Sequence, residues 1–393
     1  MTGWRTVQLG DEIELSYGKS LPSDLRKDGD FLVYGSNGTV GKHSEPLIDG
    51  PGIIIGRKGS VGEVHYSSAP FWPIDTTYYI INKANNCWRF LYHLLRCINL
   101  TKLNSHSTIP GLNRDNVYSI TTSLPDIDEQ ERIAAVLDFI EQKKTEEELL
   151  LQTLLTLKHA AMRELFTRGL HGEAQKETEI GLIPESWEIC QLGDHFELES
   201  GGTPSRYNLE YWSSGTIPWV KTTEINYKLI TTTEECITQK GLSESAAKIL
   251  PAGTLLMAMY GQGITRGKVA ILGIDAACNQ ACAAIIARDN TIFNQYLYHF
   301  FNYRYEHIRQ LAHGGQQQNL NLEIVRSLRV VFPSTSEQHK IVEILDAIDR
   351  KIELHKKKKT LLEELFKSLL HKLMTGEIRV ADLDLSAIGK AGG

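Results

Sequence analysis

The chain is poor in several features that would settle its class at once. It has six cysteines in 393 residues and no Cys-x-x-Cys pair. Cys278 and Cys282 stand four apart. A zinc ribbon and a disulfide scaffold are both excluded by that usage, and a reducing, cytoplasmic setting fits it. No apolar run approaches the ~20 residues of a membrane span, and Met1–Leu9 is polar and mixed, unlike a secretory signal. Positive charge is not in excess either. The formal net charge is −6, which rules out a simple basic nucleic-acid coat. Residues 1–126 balance 12 Lys and Arg against 12 Asp and Glu. Any surface for a polyanion is therefore local, or shared with partners. Hydrophobic residues at 41% and charged residues at 23% are ordinary globular values. The length implies two or three domains.

Catalytic signatures are missing too. Gly35-x5-Gly41-Lys42-His43 and Gly261-x5-Gly267-Lys268-Val269 resemble phosphate-binding loops. Each has one residue too many, and each lacks the hydroxyl residue after the lysine that such a loop needs. No Gly-x-Gly-x-x-Gly follows a strand, and no Asn/Asp-Pro-Pro-Tyr, Gly-x-Ser-x-Gly or His-Glu-x-x-His is present. A stand-alone nuclease or methyltransferase is unsupported. The histidines form no ligand-spaced pair, and His93 and His299 read as helix histidines packing at a domain edge.

What the chain does have is a second copy of itself. Trp4-x-x-x-Gln8-Leu9-Gly10-Asp11 returns as Trp187-x-x-x-Gln191-Leu192-Gly193-Asp194, offset by 183. Leu91-Tyr92-His93 returns as Leu297-Tyr298-His299, and Leu112-Asn113 as Leu320-Asn321. Leu124-Pro125 matches Phe332-Pro333, and Glu129-Gln130 matches Glu337-Gln338 at an offset of 208. The growing offset places about 25 extra residues in the second copy, between Asp194 and Leu297. A period near 200 is far above the ~20–50 residues of a solenoid unit, so this is a duplicated domain pair.

Each copy opens with a glycine-rich part. Gly52–Gly56, Thr254–Ala258, Tyr78–Ile81 and Ala283–Ile286 read as buried strands. Helical stretches follow near 88–100 and 293–311. Each copy then closes with a long helix after Pro125 or Pro333, for which Asp128 and Ser336 are the expected N-caps. A heptad register places Ile133, Leu137, Ile140, Leu151, Leu154 and Leu165 on one stripe of the first helix. It places Ile341, Leu345, Ile348, Ile352, Leu362, Phe366, Leu369 and Leu373 on one stripe of the second. Such a/d stripes are coiled-coil seams, and ~40 residues at ~1.5 Å each span ~60 Å. The predicted organisation has five parts: a first small domain over 1–126, a spacer helix over 127–170, a second domain over 171–335 with a polar linker at 172–186, a second spacer helix over 336–376, and a tail over 377–393 frayed from Ser386. Gly169 and Gly376 stop the helices. The fold class is α+β (mixed α/β), two small domains separated by two long antiparallel coiled-coil helices.

The remaining chemistry lies in polar, glycine-flanked loops. In the first copy these hold Lys19, Ser20, Ser36, Asn37, Lys42, Arg57, Lys58 and Ser107. In the second they hold Thr203, Ser205, Arg206, Lys221, Thr222, Gln262, Thr265, Arg266, Gln316 and Gln317. These residue types suit DNA: Arg forks onto guanine, Asn and Gln onto adenine, and Lys, Ser and backbone amides hold phosphate. Arg57-Lys58 and Arg266 follow corresponding strands, so the repeat puts them on matching surfaces.

The pattern resembles the DNA-specificity subunit of Type I restriction-modification systems. The paired Trp-x-x-x-Gln-Leu-Gly-Asp entries carry the resemblance. So do the Pro-x-x-x-Glu-Gln-x-x-Ile helix starts (Pro125 to Ile133, Pro333 to Ile341) and the helix exits Leu165-Phe166-Thr167-Arg168-Gly169 and Leu373-Met374-Thr375-Gly376. The lead-in Ile180-Gly-Leu-Ile-Pro-Glu-Ser-Trp187 adds to it. The resemblance covers nearly the whole chain. It implies two target-recognition domains in pseudo-two-fold arrangement, each reading half of a split, asymmetric site on double-stranded DNA. The helices would set the gap between half-sites and dock two adenine-methyltransferase subunits; restriction subunits would join in some complexes. This chain itself would be non-catalytic and cofactor-free. S-adenosylmethionine, and ATP with magnesium, would sit on the partners. The role would be cytoplasmic phage defence. The competing reading is a coiled-coil adaptor without DNA readout.

Overall fold

In the computed structural model, residues 3–103, 111–261, 264–311 and 319–383 are described. The chain divides into two units: Met1–Leu149 with Lys356–Gly393, and Leu150–His355. Among the described residues no helix is long and apolar enough to cross a membrane.

In the first unit a four-stranded antiparallel sheet has the order Ile13–Tyr17, Thr77–Asn82, Gly52–Gly56, Val64–Ser67. The run Ile53-Ile54-Ile55 is buried on both faces, which is why it is apolar throughout rather than alternating. A three-stranded sheet, Gly38–His43, Phe31–Gly35 and Phe71–Pro73, lies beside it in the chain order. Arg5–Gln8 pairs with Thr121–Leu124. The helix Trp88–Ile98 ends on Asn99 at φ +59°, whose N–H bonds back to the Leu95 carbonyl, a left-handed cap that Asn tolerates.

The second unit repeats this plan. Phe196–Ser200, Cys282–Ala287, Leu255–Ala258 and Val269–Leu272 take the same order, and the short strand Leu229–Ile230 adds a fifth position. Glu235–Ile237, Ile217–Val220 and Ala277–Cys278 form the three-stranded sheet, and Glu188–Gln191 pairs with Arg329–Phe332. Leu229–Ile230 lies between Asp194 and Leu297, where the sequence places the extra residues.

Two long helices, Ile127–Arg168 and Thr335–Met374, run through 42 and 40 residues. Their caps lie two residues earlier than expected. Asp126 Oδ1 accepts the Glu129 N–H at 2.9 Å, and Ser334 Oγ accepts the Glu337 N–H at 3.4 Å. The cap oxygen must reach the amide three residues on, so Asp128 and Ser336 fall inside the first turn. Gly169 and Gly376 end the helices at φ +63° and +69°. At Gly169 a Cβ would sit 2.9 Å from Glu337 Oε1 and 3.3 Å from Trp187 Nε1, so a larger residue would be strained by its positive φ and would have to push the Glu337 carboxylate aside.

Within each unit the helix segments run antiparallel. In the second, the Leu170 N–H bonds Glu337 at 2.8 Å and Lys158 meets Asp349 at 2.6 Å, so one partner number rises as the other falls. In the first, Arg379 meets Glu129 at 3.1 Å and Lys359 meets Glu148 at 3.0 Å. The helix stripes are buried at Ile133, Leu137, Ile140, Leu154, Leu165, Ile341, Leu345, Ile352, Phe366 and Leu373, and half-buried at Leu151, Ile348, Leu362 and Leu369. Much of that burial is against the sheet domains. Ile133, Leu137, Phe366 and Leu373 belong to the first unit's core, and Leu165, Ile341 and Leu345 to the second's.

The expected polar linker is instead a β-hairpin, Gln175–Thr178 with Gly181–Pro184. Gly181 at φ +111° permits the turn, Thr178 Oγ donates to the Gly181 carbonyl, and Ile183 is buried. Its first strand, Gln-Lys-Glu-Thr, has no apolar residue and so shows no apolar alternation. The tail from Ser386 lies outside the described residues.

Candidate nucleic-acid interface

In both units the central sheet delivers its loops to one end. Tyr17 is opposite Tyr78 and Gly56 opposite Thr77, so the chain leaves Ile13–Tyr17 and Gly52–Gly56 where it enters Thr77–Asn82. The loops after Tyr17 and Gly56 then wrap the segment Pro73–Thr76. The Lys19 N–H bonds the Pro73 carbonyl at 3.0 Å, and the Arg57 and Lys58 N–H groups bond the Thr76 carbonyl at 2.9 and 3.1 Å. A Cβ at Gly18 would lie 2.1 Å from the Ile74 carbonyl oxygen, and one at Gly59 3.2 Å from Ser36 Oγ. Glycine is what lets these loops close on one another.

The result is a small aromatic and cationic surface. The Arg57 guanidinium donates twice to the Asp75 carbonyl, at 2.6 and 3.2 Å, and lies 5.1 Å from the Tyr17 ring. Arg114 lies 4.8 Å from the same ring. Tyr17 is 52% exposed. Among the described residues no carboxylate pairs with Arg57 or Arg114; Arg114 is half-buried and donates to the Leu15 carbonyl at 3.3 Å. Lys19, Ser20, Asn37 and Lys58 are exposed around them, and Ser36 is half-buried. Lys42 is set apart: it lies opposite Leu32, at the far end of the hairpin whose turn holds Ser36 and Asn37, with Asp30 at 3.9 Å. Ser107 lies outside the described residues.

The second unit arranges its loops differently. Thr203 Oγ bonds Gln280, and the Gly202 carbonyl accepts from Trp219 Nε1 at 2.9 Å. The Arg206 guanidinium lies 3.7 Å from the Trp212 ring and 4.9 Å from Trp219. It also meets Glu235 at 2.5 Å, while Lys221 meets Glu234 at 2.6 Å and Glu235 at 3.3 Å. Ser205 is exposed, and Thr222 half-buried at the start of a 3-10 turn. Arg266 does not lie on a surface of its unit matching the one that Arg57 occupies in the first. It is 8% exposed, because the longer loop after Ala258 folds back: Gly267 packs on Ile308, and Tyr305 Oη bonds the Ile264 carbonyl. Thr265 goes with that loop and is half-buried. Gln262, Gln316 and Gln317 lie outside the described residues.

Some residues that shape this interface carried no clear sequence signal. Trp212 and Glu235 sit in the stretch with the extra residues, where the two copies no longer align, and Arg114 has Leu322 as its counterpart at the offset of 208. The histidines at 93 and 299 recur in the repeat, and so do their partners, Asp138 and Asp346. Both imidazoles are fully buried, and Nε2 meets Asp138 at 2.7 Å in one unit and Asp346 at 2.8 Å in the other. They fasten the helices Trp88–Ile98 and Asn294–Tyr303 to the long helices rather than packing at an edge. The offset of 208 that pairs Glu129 with Glu337 also pairs the two aspartates, and could have found them. In the first unit Arg89 adds bonds to Asp138 at 2.9 and 3.0 Å, and Arg96 pairs with Glu141. The donor atoms of His93, Asp138 and Glu141 lie within 4.8 Å of one another, as three metal ligands would. The two arginines already neutralise the carboxylates, so the cluster is a tether rather than a metal centre.

The comparisons with known proteins agree with this duplicated plan. Residues 1–154 and 184–364 match the family model described as Type I restriction modification DNA specificity domain. The chain is 24% identical over 406 residues to the Type I restriction enzyme MjaVIII specificity subunit of Methanocaldococcus jannaschii, covering 97% of this chain and 94% of that one. It is 33% identical over 202 residues to the MjaIX specificity subunit of the same organism, covering 49% of this chain and 46% of the relative, so that match spans about half of each. The crystal structure of a Type I restriction-modification S subunit from M. genitalium superposes with a TM-score of 0.68 at 16% identity, over 94% of this chain and 96% of that one.

Proposed function

Since the chain belongs to the Type I restriction modification DNA specificity family, we propose that its two units are readers of the two halves of a split DNA site. The observation that carries this reading is the shared sheet end. In each unit the same strand order delivers glycine-closed loops to one edge, and those loops hold guanidinium groups against aromatic rings. Such groups can fork onto base edges or hold phosphate. The first reader uses Lys19, Ser20, Ser36, Asn37, Arg57, Lys58 and Arg114. The second uses Thr203, Ser205, Arg206, Lys221 and Thr222. The loops differ in sequence and arrangement, so the half-sites differ and the whole site is asymmetric.

The long helices set the unread gap and dock the methyltransferase subunits. The first unit's helix segments leave Leu149 and Leu361 exposed and the second's leave Leu157 and Leu354 exposed, apolar side chains that a docked partner would cover. Chemistry resides on those partners, which bring S-adenosylmethionine, and on any restriction subunit, which brings ATP and magnesium. This chain contributes address and spacing.

The test is selection from a random duplex library with the chain assembled with its modification subunits, at low and moderate salt. Recovery of two unlike half-sites at a fixed separation supports two readers on a spacer. An intact complex that enriches no motif replaces this reading with a coiled-coil adaptor.

A further inference from the structure

The two candidate readers differ in one respect that their common fold does not require. In the first unit the guanidinium of Arg57 rests on a backbone carbonyl and faces solvent without an acid. In the second unit the two candidate cations Arg206 and Lys221 each already hold a carboxylate. Glu235 bridges Arg206 at 2.5 Å and Lys221 at 3.3 Å, using one oxygen for each. Glu235 begins the edge strand Glu235–Ile237, opposite Trp219. The acid therefore has a fixed place beside the ring that Arg206 covers. Burial pushes its carboxyl up, but the bonds from Arg206 and Lys221 outweigh this and hold it below the usual range. It is ionised at neutral pH.

Carboxylate and phosphodiester oxygens make the same charge-assisted bonds to a guanidinium and an ammonium. Resting on the reading of the second unit as a DNA reader, we propose that Glu235 is a built-in stand-in for a DNA phosphate, a counter-ion that must leave before Arg206 and Lys221 can grip the backbone. Exchanging one anion for another gains little by itself. The second unit therefore engages only where base contacts add to the exchange. The first unit, with no such acid on Arg57 among the described residues, grips any duplex. Glu235 thus acts through Arg206 and Lys221 to set discrimination.

The test compares wild type with Glu235→Gln in the full chain assembled with its methyltransferase subunits. The probe is a duplex of about 30 base pairs of random sequence, titrated across a salt series. Each phosphate newly contacted steepens the slope of log affinity against log salt by ~0.9. Glu235→Gln is expected to bind the random duplex several-fold more tightly, with a slope steeper by ~0.9–1.8, and to lose part of its preference for the selected site. Glu234→Gln, which frees one contact of Lys221 only, gains less. Adding Arg206→Ala to Glu235→Gln removes most of the gain. If Glu235 only orients Arg206, the Gln variant binds the same or more weakly with an unchanged slope, and the proposal falls while DNA reading stands. Wild type that retains no duplex at low salt overturns the reading and this proposal together.

Discussion

His93 and Asp138 show how one pair of side chains can tie an element to its support. Asp138 accepts from a buried imidazole and a half-buried guanidinium. Replacing it with Asn weakens both bonds and leaves Arg89 short of its anion. Asp138→Asn is expected to cost the first unit roughly 1.5–3 kcal/mol, the range for bonds to charged groups, read by urea unfolding. Asp346→Asn in the second unit costs less, because Gln295 stands where the repeat places the arginine. The same pair predicts a pH dependence. Burial lowers the His93 pKa, and Asp138 opposes this only in part. The unfolded chain then binds the proton more readily than the folded one. Stability is full above the unfolded value of ~6.5 and is lost as pH falls below it. Burial pushes Asp138 up, but its bonds from His93 and Arg89 win and hold it at about 2; its contribution goes later, between about pH 4 and 2. A urea midpoint of the first unit that does not drop between about pH 7.5 and 5, or that drops equally in His93→Gln, would refute the assignment. For the proposed readers, Arg57→Ala is expected to cost ~1–3 kcal/mol of binding and to relax one position of its half-site. Arg266→Ala, at a buried position, is expected to act on folding instead. That contrast marks the limit of the sequence reading. Repeat position gave Arg266 a surface matching that of Arg57 in the other unit, but the length of the loop after Ala258 decided where its side chain went.

The elements were more legible than the side chains. Strands at Gly52–Gly56 and Cys282–Ala287, and helices after Pro125 and Pro333, follow from apolar runs and proline stops that act locally. The hairpin at 175–184 was hidden, because its partners stand far along the chain: Arg329 on Glu179 at 2.6 Å and Arg304 on the Ile180 carbonyl at 3.1 Å. Caps were misplaced by two residues for want of knowing where the first turn starts. Asp126→Ala and Ser334→Ala should each destabilise by ~1 kcal/mol, and Asp128→Ala and Ser336→Ala by little. Helix pairing in the second unit has its own check. Lys158→Asp and Asp349→Lys should each be destabilising, and the double exchange should recover most of the loss. Additive losses in the double variant would mean that the pair is incidental.

At the scale of the molecule, the duplication was visible in the repeat and the family in the resemblance of its paired motifs, while the proposed base contacts were not, since loop conformation decides them. The proposed spacer role makes a geometric prediction. Seven residues inserted into each long helix keep the heptad register and add ~10.5 Å. At ~3.4 Å per base pair, the selected motif should keep both half-sites and widen its gap by about three base pairs. An unchanged gap would show that the helices do not set it. One feature of the architecture also bears on how the protein is made. The second unit is one continuous stretch, Leu150–His355, whereas the first is assembled from both sides of it. Trp4 packs on Gly376, Arg379 reaches Glu129, and Phe366 and Leu373 fill the first core. A ribosome therefore delivers the last piece of the first-made unit only after the whole of the other. Until then the nascent amino-terminal half waits with its core open, and a stop codon late in the message injures the domain encoded at its beginning.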